Sequence, residues 1–554
     1  MRVASPHSLR ASTTLVLLSL LLSANALFIN LLPGFPQSLS ASITSFENWS
    51  GEIRTNIYQT SPKNVDDLVS AVNWASSRGW RVRPRGFTHG WAPTSLDNSV
   101  NSLSRVLVVD MKGLNGITTN TTDKSITLAA GASVDSMHEA LKAAGLALGA
   151  APALGDITIG GALAIGAHGT GILANGETQG PGVSLGSLSN LVLELDAIVW
   201  TGTAYAVKTF ARNDPEIGPF LCHLGRALIT RVVLRVTDSY TMRCESITSV
   251  SMDQLSAAPG SGGTTVESIL QSAGRMEIIH FPFTPNPWLK IWSLAPVKPA
   301  TARAVSGPYN YPFSDSIDKL LSSLIGLGQT ILPGGILVTA PAVFGIVTTG
   351  LATTKSADIW GYAGDLMRYV RASTLRVTAN GIVIHCRRAD VQRTIFEFNN
   401  KHKSLLTQYS GRLLFPINGP AEIRVTRVDQ PDDAGVAGAV MPNLTPSRPF
   451  DGHPEWDTAV WFDVLTIPTT PFASSFMRDI EQWALANYAS YAGVRSEWSK
   501  GWAYTTQGGW RDTNILKNVI PAAYGPAWAN AVATFAKYDP KRLYASPLLD
   551  NMGL

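Results

Sequence analysis

Between Gly155 and Gly171 the chain places six glycines in seventeen residues, Gly155-Asp156-Ile157-Thr158-Ile159-Gly160-Gly161-Ala162-Leu163-Ala164-Ile165-Gly166-Ala167-His168-Gly169-Thr170-Gly171. Glycine lets a backbone approach a neighbouring group closely. A glycine-lined helix start also favours an anion, through its free N–H groups and its dipole. The segment is not the G-x-G-x-x-G dinucleotide fingerprint, and the βαβ context of that fingerprint is missing. A second glycine loop, Pro84-Arg85-Gly86-x-x-His89-Gly90, lies about 70 residues earlier. Successive main-chain N–H groups in such a loop can cradle a pyrophosphate. Alone, His89 reads as a turn histidine. Two such loops on one α/β unit imply a bound anionic group without naming it.

The surroundings fit an α/β unit. Ser61 to Gly79 reads as a helix, with Pro62 in its first turn and Val65, Leu68, Val69 and Val72 on its apolar face. Val106–Asp110 and 126–130 read as strands, and 134–144 as a helix that Gly145 can end. Further strands are expected at 191–200 and 229–236. From about residue 240 to 490, strand-like runs at 382–385, 422–428 and 459–464 mix with helices, which suggests a second, α+β domain. No internal repeat is present. Residues 319 to 352 are rich in Leu, Ile, Gly and Pro. They read either as core helices broken by Pro333 and Pro341 or as the wall of an apolar cavity.

At 554 residues and 45% apolar, the chain can bury a large core, and its length suggests two or three domains. Charged residues are only 15% and the net charge is +4. With no Lys/Arg run interleaved with aromatics, nucleic-acid binding has little support. Arg2 and Arg10, the apolar stretch from Thr14 to Leu22, and Ala24-Asn25-Ala26 together read as a cleaved export signal over residues 1–26, and hence a secreted or periplasmic protein. The apolar core is shorter than a membrane span. The alternative is an uncleaved anchor, since Leu27-Phe28-Ile29 and Leu31-Leu32 continue the apolar trend. Cys222, Cys244 and Cys386 are too few for a disulfide framework, although Cys222 and Cys244 could pair. No Cys/His cluster has structural-zinc spacing. The sequons at Asn48 and Asn443 matter only in a glycosylating host.

Several ordered segments resemble one family. They are Asn48-Trp49-Ser50-Gly51-Glu52-Ile53, Arg83-Pro84-Arg85-Gly86-x-x-His89-Gly90-Trp91, Leu114-Asn115-Gly116-Ile117, Gly186-Ser187-Leu188-Ser189-Asn190-Leu191, Ser306-Gly307-Pro308-Tyr309-Asn310-Tyr311, Asn418-Gly419-Pro420-x-Glu422-Ile423-Arg424 and Glu497-Trp498-Ser499-Lys500-Gly501-Trp502. From about Trp49 to the C-terminus the chain is similar to the vanillyl-alcohol-oxidase-type (PCMH-type) FAD flavoproteins. Within them it resembles the covalent-flavin (type II) cholesterol oxidases. The resemblance implies an α+β fold: a two-part FAD-binding domain over 45–240, a substrate-binding cap over 241–490, and a C-terminal segment, 491–554, returning to the FAD domain.

It further implies FAD bound covalently through His89. Some relatives carry a second link through cysteine just before Ile159-Gly160-Gly161, but here Pro152 and Ala153 stand there, so one tether is expected. Cofactor contacts fall on Arg85, Gly86, Phe87, Thr88, His89 and Gly90, on Gly155, Thr158, Ile159, Gly160, Gly161, Ala164, His168 and Gly169, and on Ile229. His168 is the other candidate for the tether. Glu422 and Arg424, two apart in a strand, point to one face, and the resemblance sets such a pair over the flavin. Arg424 would stabilise developing negative charge and Glu422 would accept or orient a proton. Lys500 would support the N1 and C2 carbonyl side of the flavin; Glu497 stands where sugar and lactone oxidases have histidine, which weakens a sugar-alcohol reading. Glu277, beside an apolar run, is a second candidate base.

The expected activity is oxidation of a sterol 3β-hydroxyl to the ketone, with isomerisation to the 4-en-3-one, and reduction of O2 to H2O2. A transient membrane-surface contact for substrate extraction is part of the same expectation. The alternatives are action on a sugar alcohol, an aldonolactone or another hydroxylated lipid, and, from another class, a sterol-binding protein without turnover.

Overall fold

Asn64, not Pro62, sets the start of the first long helix: its side chain accepts from the Asp67 N–H, so Val65–Ser77 is helical and Pro62 lies outside it. Leu68, Ala71, Val72, Trp74 and Ala75 form its buried face. The computed structural model describes residues 32–180, 182–309, 311–313, 334–370 and 376–554. The proposed export signal lies outside the described residues.

The helix packs beside a four-stranded sheet with the order Ala41–Glu47, Arg54–Thr60, Val106–Asp110, Arg81–Arg85. A five-stranded sheet follows, ordered Ile117–Asn120, Ser125–Ala129, Leu228–Arg235, Val192–Trp200, Tyr205–Ala211. The first glycine loop leaves the end of Arg81–Arg85. The second surrounds the short helix Ile159–Ala164, whose Thr158 cap accepts from the Gly161 N–H at 3.2 Å.

The remainder is built on a nine-stranded sheet. Its order is Arg303–Ala304, Asp358–Tyr362, Thr241–Ile247, Trp288–Leu294, Arg275–His280, Ala421–Arg427, Thr458–Thr466, Thr378–Cys386, Gly493–Ser496. Thr378–Cys386 and Thr458–Thr466 are buried at every position, as expected of central strands covered on both faces. The segment after 491 first adds Gly493–Ser496 to this sheet and then crosses to the other unit. There Phe535 packs on Phe220, and Asp539 pairs with buried Arg226. The second glycine loop ties the units together: Gly171 N–H donates to Val425 O at 2.8 Å and the Thr170 hydroxyl to Met276 O at 2.7 Å.

Three expectations change. Cys222 and Cys244 do not pair; all three cysteines are free and buried. Asn48 and Asn443 are buried and hydrogen bonded inward, so neither sequon offers a glycan site. Of the apolar stretch, Ile336–Thr353 is one helix that runs through Pro341. The carbonyl Pro341 deprives of a partner is that of Leu337, a residue 47% exposed on the outer face of the helix. Residues 314–333, including Pro333, lie outside the described residues.

Candidate active site

Strand register collects the charged groups. Across the nine-stranded sheet, Lys290 pairs with Glu277 and Glu277 with Arg424; one step along, Glu422 pairs with Asp463 and Asp463 with Gly381. Direct cross-strand partners and residues two apart share a face. Lys290, Glu277, Arg424, Glu422 and Asp463 therefore project from one face of the sheet.

Arg424 is the hub. Its Nε donates to Glu277 Oε1 at 2.7 Å, Nη1 to Asp463 Oδ2 at 2.9 Å and Nη2 to Glu422 Oε2 at 2.5 Å. Lys500 Nζ lies 3.5 Å from Asp463 Oδ2 and 3.8 Å from Glu497 Oε1. Its stem crosses Gly381, where a Cβ would come within 2.6 Å of Lys500 Cγ. The ammonium sits 4.3 Å from the Trp91 ring centroid.

Of these groups, Glu422, Arg424, Lys500 and Glu497 open onto a cavity of about 490 Å³ between the two units. Glu422, Arg424, Lys500, Glu497 and Tyr369 line one end, with Met242, Ile279, Trp288, Trp292, Tyr311 and Leu465 forming an apolar chamber. The other end is walled by both glycine loops. Arg85, Gly86, Phe87, Thr88, His89, Gly90, Thr158, Gly160, Gly161, Ala164, His168, Gly169 and Ile229 all line it. Gly86 is required here, since a Cβ would meet Thr158 Oγ1 at 2.4 Å.

Gly155, Ile159 and Glu277 do not line the cavity. Gly155 packs against Asp135, where a Cβ would fall 1.8 Å from Oδ1. The side chain of Ile159 belongs to the core. Glu277 is 1% exposed and stands behind Arg424 and Tyr369, taking hydrogen bonds from both.

The two candidate histidines differ. His89 Nε2 is bonded to Asp156 Oδ2 at 2.7 Å and the ring stacks on Trp49 at 4.3 Å. Its Nδ1 is buried with no protein partner. His168 has Nδ1 committed to Gly169 O at 2.8 Å and its ring stacked on Trp461 at 3.5 Å. Burial, aided by Arg424, pulls His168 down to about 3, so its imidazole is neutral.

The carboxyl groups are also set apart. Burial raises Glu422, with the Glu277 charge adding and Arg424 opposing. Burial and the neighbouring Asp463 push Glu497 up to about 7. Burial would raise Asp463 too, but Lys500 and Arg424 outweigh it and hold that carboxyl low. With Asp463 held ionised beside it, Glu497 is the carboxyl of the two that keeps a proton below neutrality. Sequence reasoning gave no role to Asp156, Tyr369, Gly381 or Asp463. For Asp463 a signal exists: it is the one charge inside the apolar run Thr458–Thr466.

The cavity's chemistry suits a flavin nucleotide. Glycine-rich loops line one wall, His89 lines it with an imidazole nitrogen that has no protein partner, and Arg424 and Lys500 also line the cavity, supplying positive charge that would offset the negative charge of a reduced flavin.

Comparison with known proteins agrees. The family model described as "Cholesterol oxidase, substrate-binding" matches residues 241–553, and an FAD-binding domain model matches 59–206. A solved structure described as a solvent-stable cholesterol oxidase is 43% identical, covering 94% of this chain and 99% of its own, with a TM-score of 0.91. Cholesterol oxidase from B. sterolicum is 38% identical, covering 95% and 99%, with a TM-score of 0.92. Among curated sequences, mitochondrial L-galactono-1,4-lactone dehydrogenase of Arabidopsis thaliana is 29% identical over 135 residues, 24% of this chain. L-gulonolactone oxidase of Scyliorhinus torazame is 30% identical over 133 residues, 23% of this chain. These matches span only 21% and 28% of those two proteins' own lengths. A chitooligosaccharide oxidase at 11% identity and a TM-score of 0.54 shares the fold alone. The chain belongs to the family defined by the cholesterol oxidase substrate-binding domain, joined to an FAD-binding domain of the vanillyl-alcohol-oxidase type.

Proposed function

We propose that this protein oxidises the 3β-hydroxyl of cholesterol-like sterols to the ketone, consuming O2 and releasing H2O2. The carrying observation is the single cavity that joins an apolar, aromatic chamber to the Glu422–Arg424–Lys500 cluster and the two glycine loops. Bound FAD supplies the two-electron acceptor for the hydride that leaves the carbinol carbon.

The chain's own residues do the rest. Glu422 faces the cavity and serves as the base for the hydroxyl proton. Its raised pKa matches it better to that task at neutral pH than an ordinary carboxylate would be. Arg424 holds Glu422 by one nitrogen while two others are tied to Glu277 and Asp463, so the base is oriented by a guanidinium that cannot swing. Lys500, fixed by Asp463 and Glu497, places a second positive charge in the cavity wall that Glu422 and Arg424 line. Glu277 acts through Arg424 and Tyr369. With a 5-ene sterol, isomerisation to the 4-en-3-one is proton-neutral: once the hydroxyl proton has left with the H2O2, Glu422 takes the proton lost from C4 and delivers it to C6.

His89 is the attachment residue: it lines the cavity and its Nδ1 has no protein partner, whereas His168 Nδ1 is engaged. The outer face of Ile336–Thr353 carries Leu337, Val338, Pro341, Ala342 and Gly345 exposed, and the helix has no charged residue. Its inner face packs over the chamber aromatics, which supports a transient lipid-surface contact at substrate entry. The N-terminal pattern supports export.

Incubating the purified protein with cholesterol tests the reading. Peroxide and 4-en-3-one formed in equal amounts support it; neither product, with an aldonolactone or sugar alcohol turned over instead, overturns it.

A further inference from the structure

Behind the chamber wall lies a cation that this mechanism leaves unused. Lys290 is 0% exposed, and its Nζ is buried without a hydrogen-bond partner. Four aromatic rings surround it, with centroids 3.2 Å (Tyr369), 4.3 Å (Tyr311), 5.1 Å (Trp288) and 5.2 Å (Trp292) from Nζ. All four rings line the cavity and Lys290 does not. A desolvated ammonium is costly unless something compensates it. Ring faces compensate in part, and the remainder comes from the carboxylates of the same sheet face.

The arrangement is linked to the base. Lys290 is the cross-strand partner of Glu277. Tyr369, whose ring it underlies, donates its hydroxyl to Glu277. Glu277 in turn accepts from Arg424, which holds Glu422. Below about pH 7, where Glu497 keeps its proton, the carboxylates of Glu277, Glu422 and Asp463 face the cations Arg424, Lys500 and Lys290. Without Lys290 this buried layer carries one negative charge in excess, and the cheapest remedy is a proton on Glu422, the carboxyl that burial already raises.

We propose that Lys290 is a positioning residue for the oxidation: its caged ammonium holds Tyr369 against Glu277 and keeps Glu422 ionised for proton abstraction. The inference rests on Glu422 as the base. The groups facing Lys290 are Cys244 from Thr241–Ile247, Glu277 from Arg275–His280, Glu422 and Arg424 from Ala421–Arg427, and the phenols Tyr311 and Tyr369. Burial pulls Lys290 down to about 8, with Cys244, Glu277 and Glu422 opposing and Arg424 adding.

The test is Lys290→Met in the flavin-loaded enzyme, with kcat and KM followed against pH. The acid limb of kcat/KM should move up by about one unit, since losing a nearby cation makes Glu422 harder to ionise. The alkaline fall near pH 8 should vanish, with KM within about twofold of wild type because Lys290 does not line the cavity. A variant profile that superimposes on wild type overturns the proposal, whatever its kcat.

Should the variant not fold, the wild type decides. An alkaline fall near pH 8 that moves to lower pH on warming, as an amine's does, supports the role, and no fall near pH 8 overturns it. The charge itself is read without turnover. Because the folded pKa is depressed from 10.5 to about 8, the unfolded chain holds more protons in that window. Wild type should thus gain Tm on Lys290→Met only once pH rises above about 8, and a gain already under way between about pH 6 and 7 means that the amine is neutral in the folded protein and overturns the charged cage. Absence of sterol turnover in wild type at every pH counts against the proposed function, while the Tm comparison still judges Lys290.

Discussion

Lys500 crosses the sheet directly over Gly381, at a spacing that leaves no room for a methyl group. A Cβ on Gly381 would lie 2.6 Å from Lys500 Cγ, 2.8 Å from its Cβ and 2.9 Å from Glu497 Cβ. The glycine has an ordinary backbone conformation, so its value is the close approach alone. Gly381→Ala should therefore fold, shift Lys500 and Glu497, and lower kcat by roughly 10- to 100-fold, as misplacement by about an ångström does. Steady-state kinetics with flavin content and Tm measured alongside check this; unchanged kcat would show that the position of Lys500 does not matter.

Glu422 and Glu277 are separated by their opposite expected responses. Glu422→Gln removes the base and should lower kcat by about 10²- to 10⁴-fold. Glu277→Gln instead removes a negative neighbour that helps to raise Glu422. Its acid limb should move to lower pH while oxidation persists. A collapse of kcat in Glu277→Gln with a mild Glu422→Gln would reverse the assignment.

Glu497 carries a pH signature in stability. Its folded pKa is raised from 4.5 to about 7, so between those values the native state holds a proton that the unfolded chain has lost. That contribution is complete below about pH 4.5 and disappears as pH rises through 7. Its ceiling is about 3 kcal/mol, reduced in practice by relaxation around the Asp463 pair. Glu497→Gln should flatten the wild-type loss of Tm between pH 4.5 and 7. Parallel Tm curves for the two proteins would mean that Glu497 holds no shared proton.

Local signals carried much of the fold. The buried strands around Val106, Val192 and Leu228 are visible because β-branched runs bounded by turn residues read as strands. The Val65–Ser77 helix is equally plain, apart from the choice between Pro62 and Asn64 as its start. The glycine loops were legible as an anion site, and their residue types matched a flavin family.

What was not legible depends on register. Nothing in the sequence near residue 463 announces that Asp463 will sit opposite Glu422, or that Lys290 will lie beside Glu277. Register sets these neighbours, and the pairing of Glu277 with Arg424 joins positions 147 residues apart only once the sheet is assembled. The same holds for Glu277, which reads as a cavity-facing acid until Tyr369 and Arg424 are seen in front of it. Pro341 misled for another reason: helix breaking is costly where the freed carbonyl is buried, and Leu337, whose carbonyl is freed, lies on the exposed face of the helix.

The attachment residue gives the last prediction. His89 reaches the cavity with Nδ1 unpaired, while Nε2 is held by Asp156 and the ring is clamped against Trp49. Thr88, just before it, adopts a φ of 62°, a conformation non-glycine residues rarely take. A fixed ring with one nitrogen on a carboxylate has its other nitrogen's tautomer and direction set. Asp156 therefore governs which nitrogen is available for bond formation. His89→Ala should bind FAD but release all of it on acid precipitation, and Asp156→Asn should retain a smaller covalent fraction than wild type. His168→Ala should leave the covalent fraction unchanged, because its Nδ1 is already committed to Gly169. Absorbance of the acid pellet at the flavin maximum measures all three; flavin retained by His89→Ala and lost from His168→Ala would move the tether to the second glycine loop.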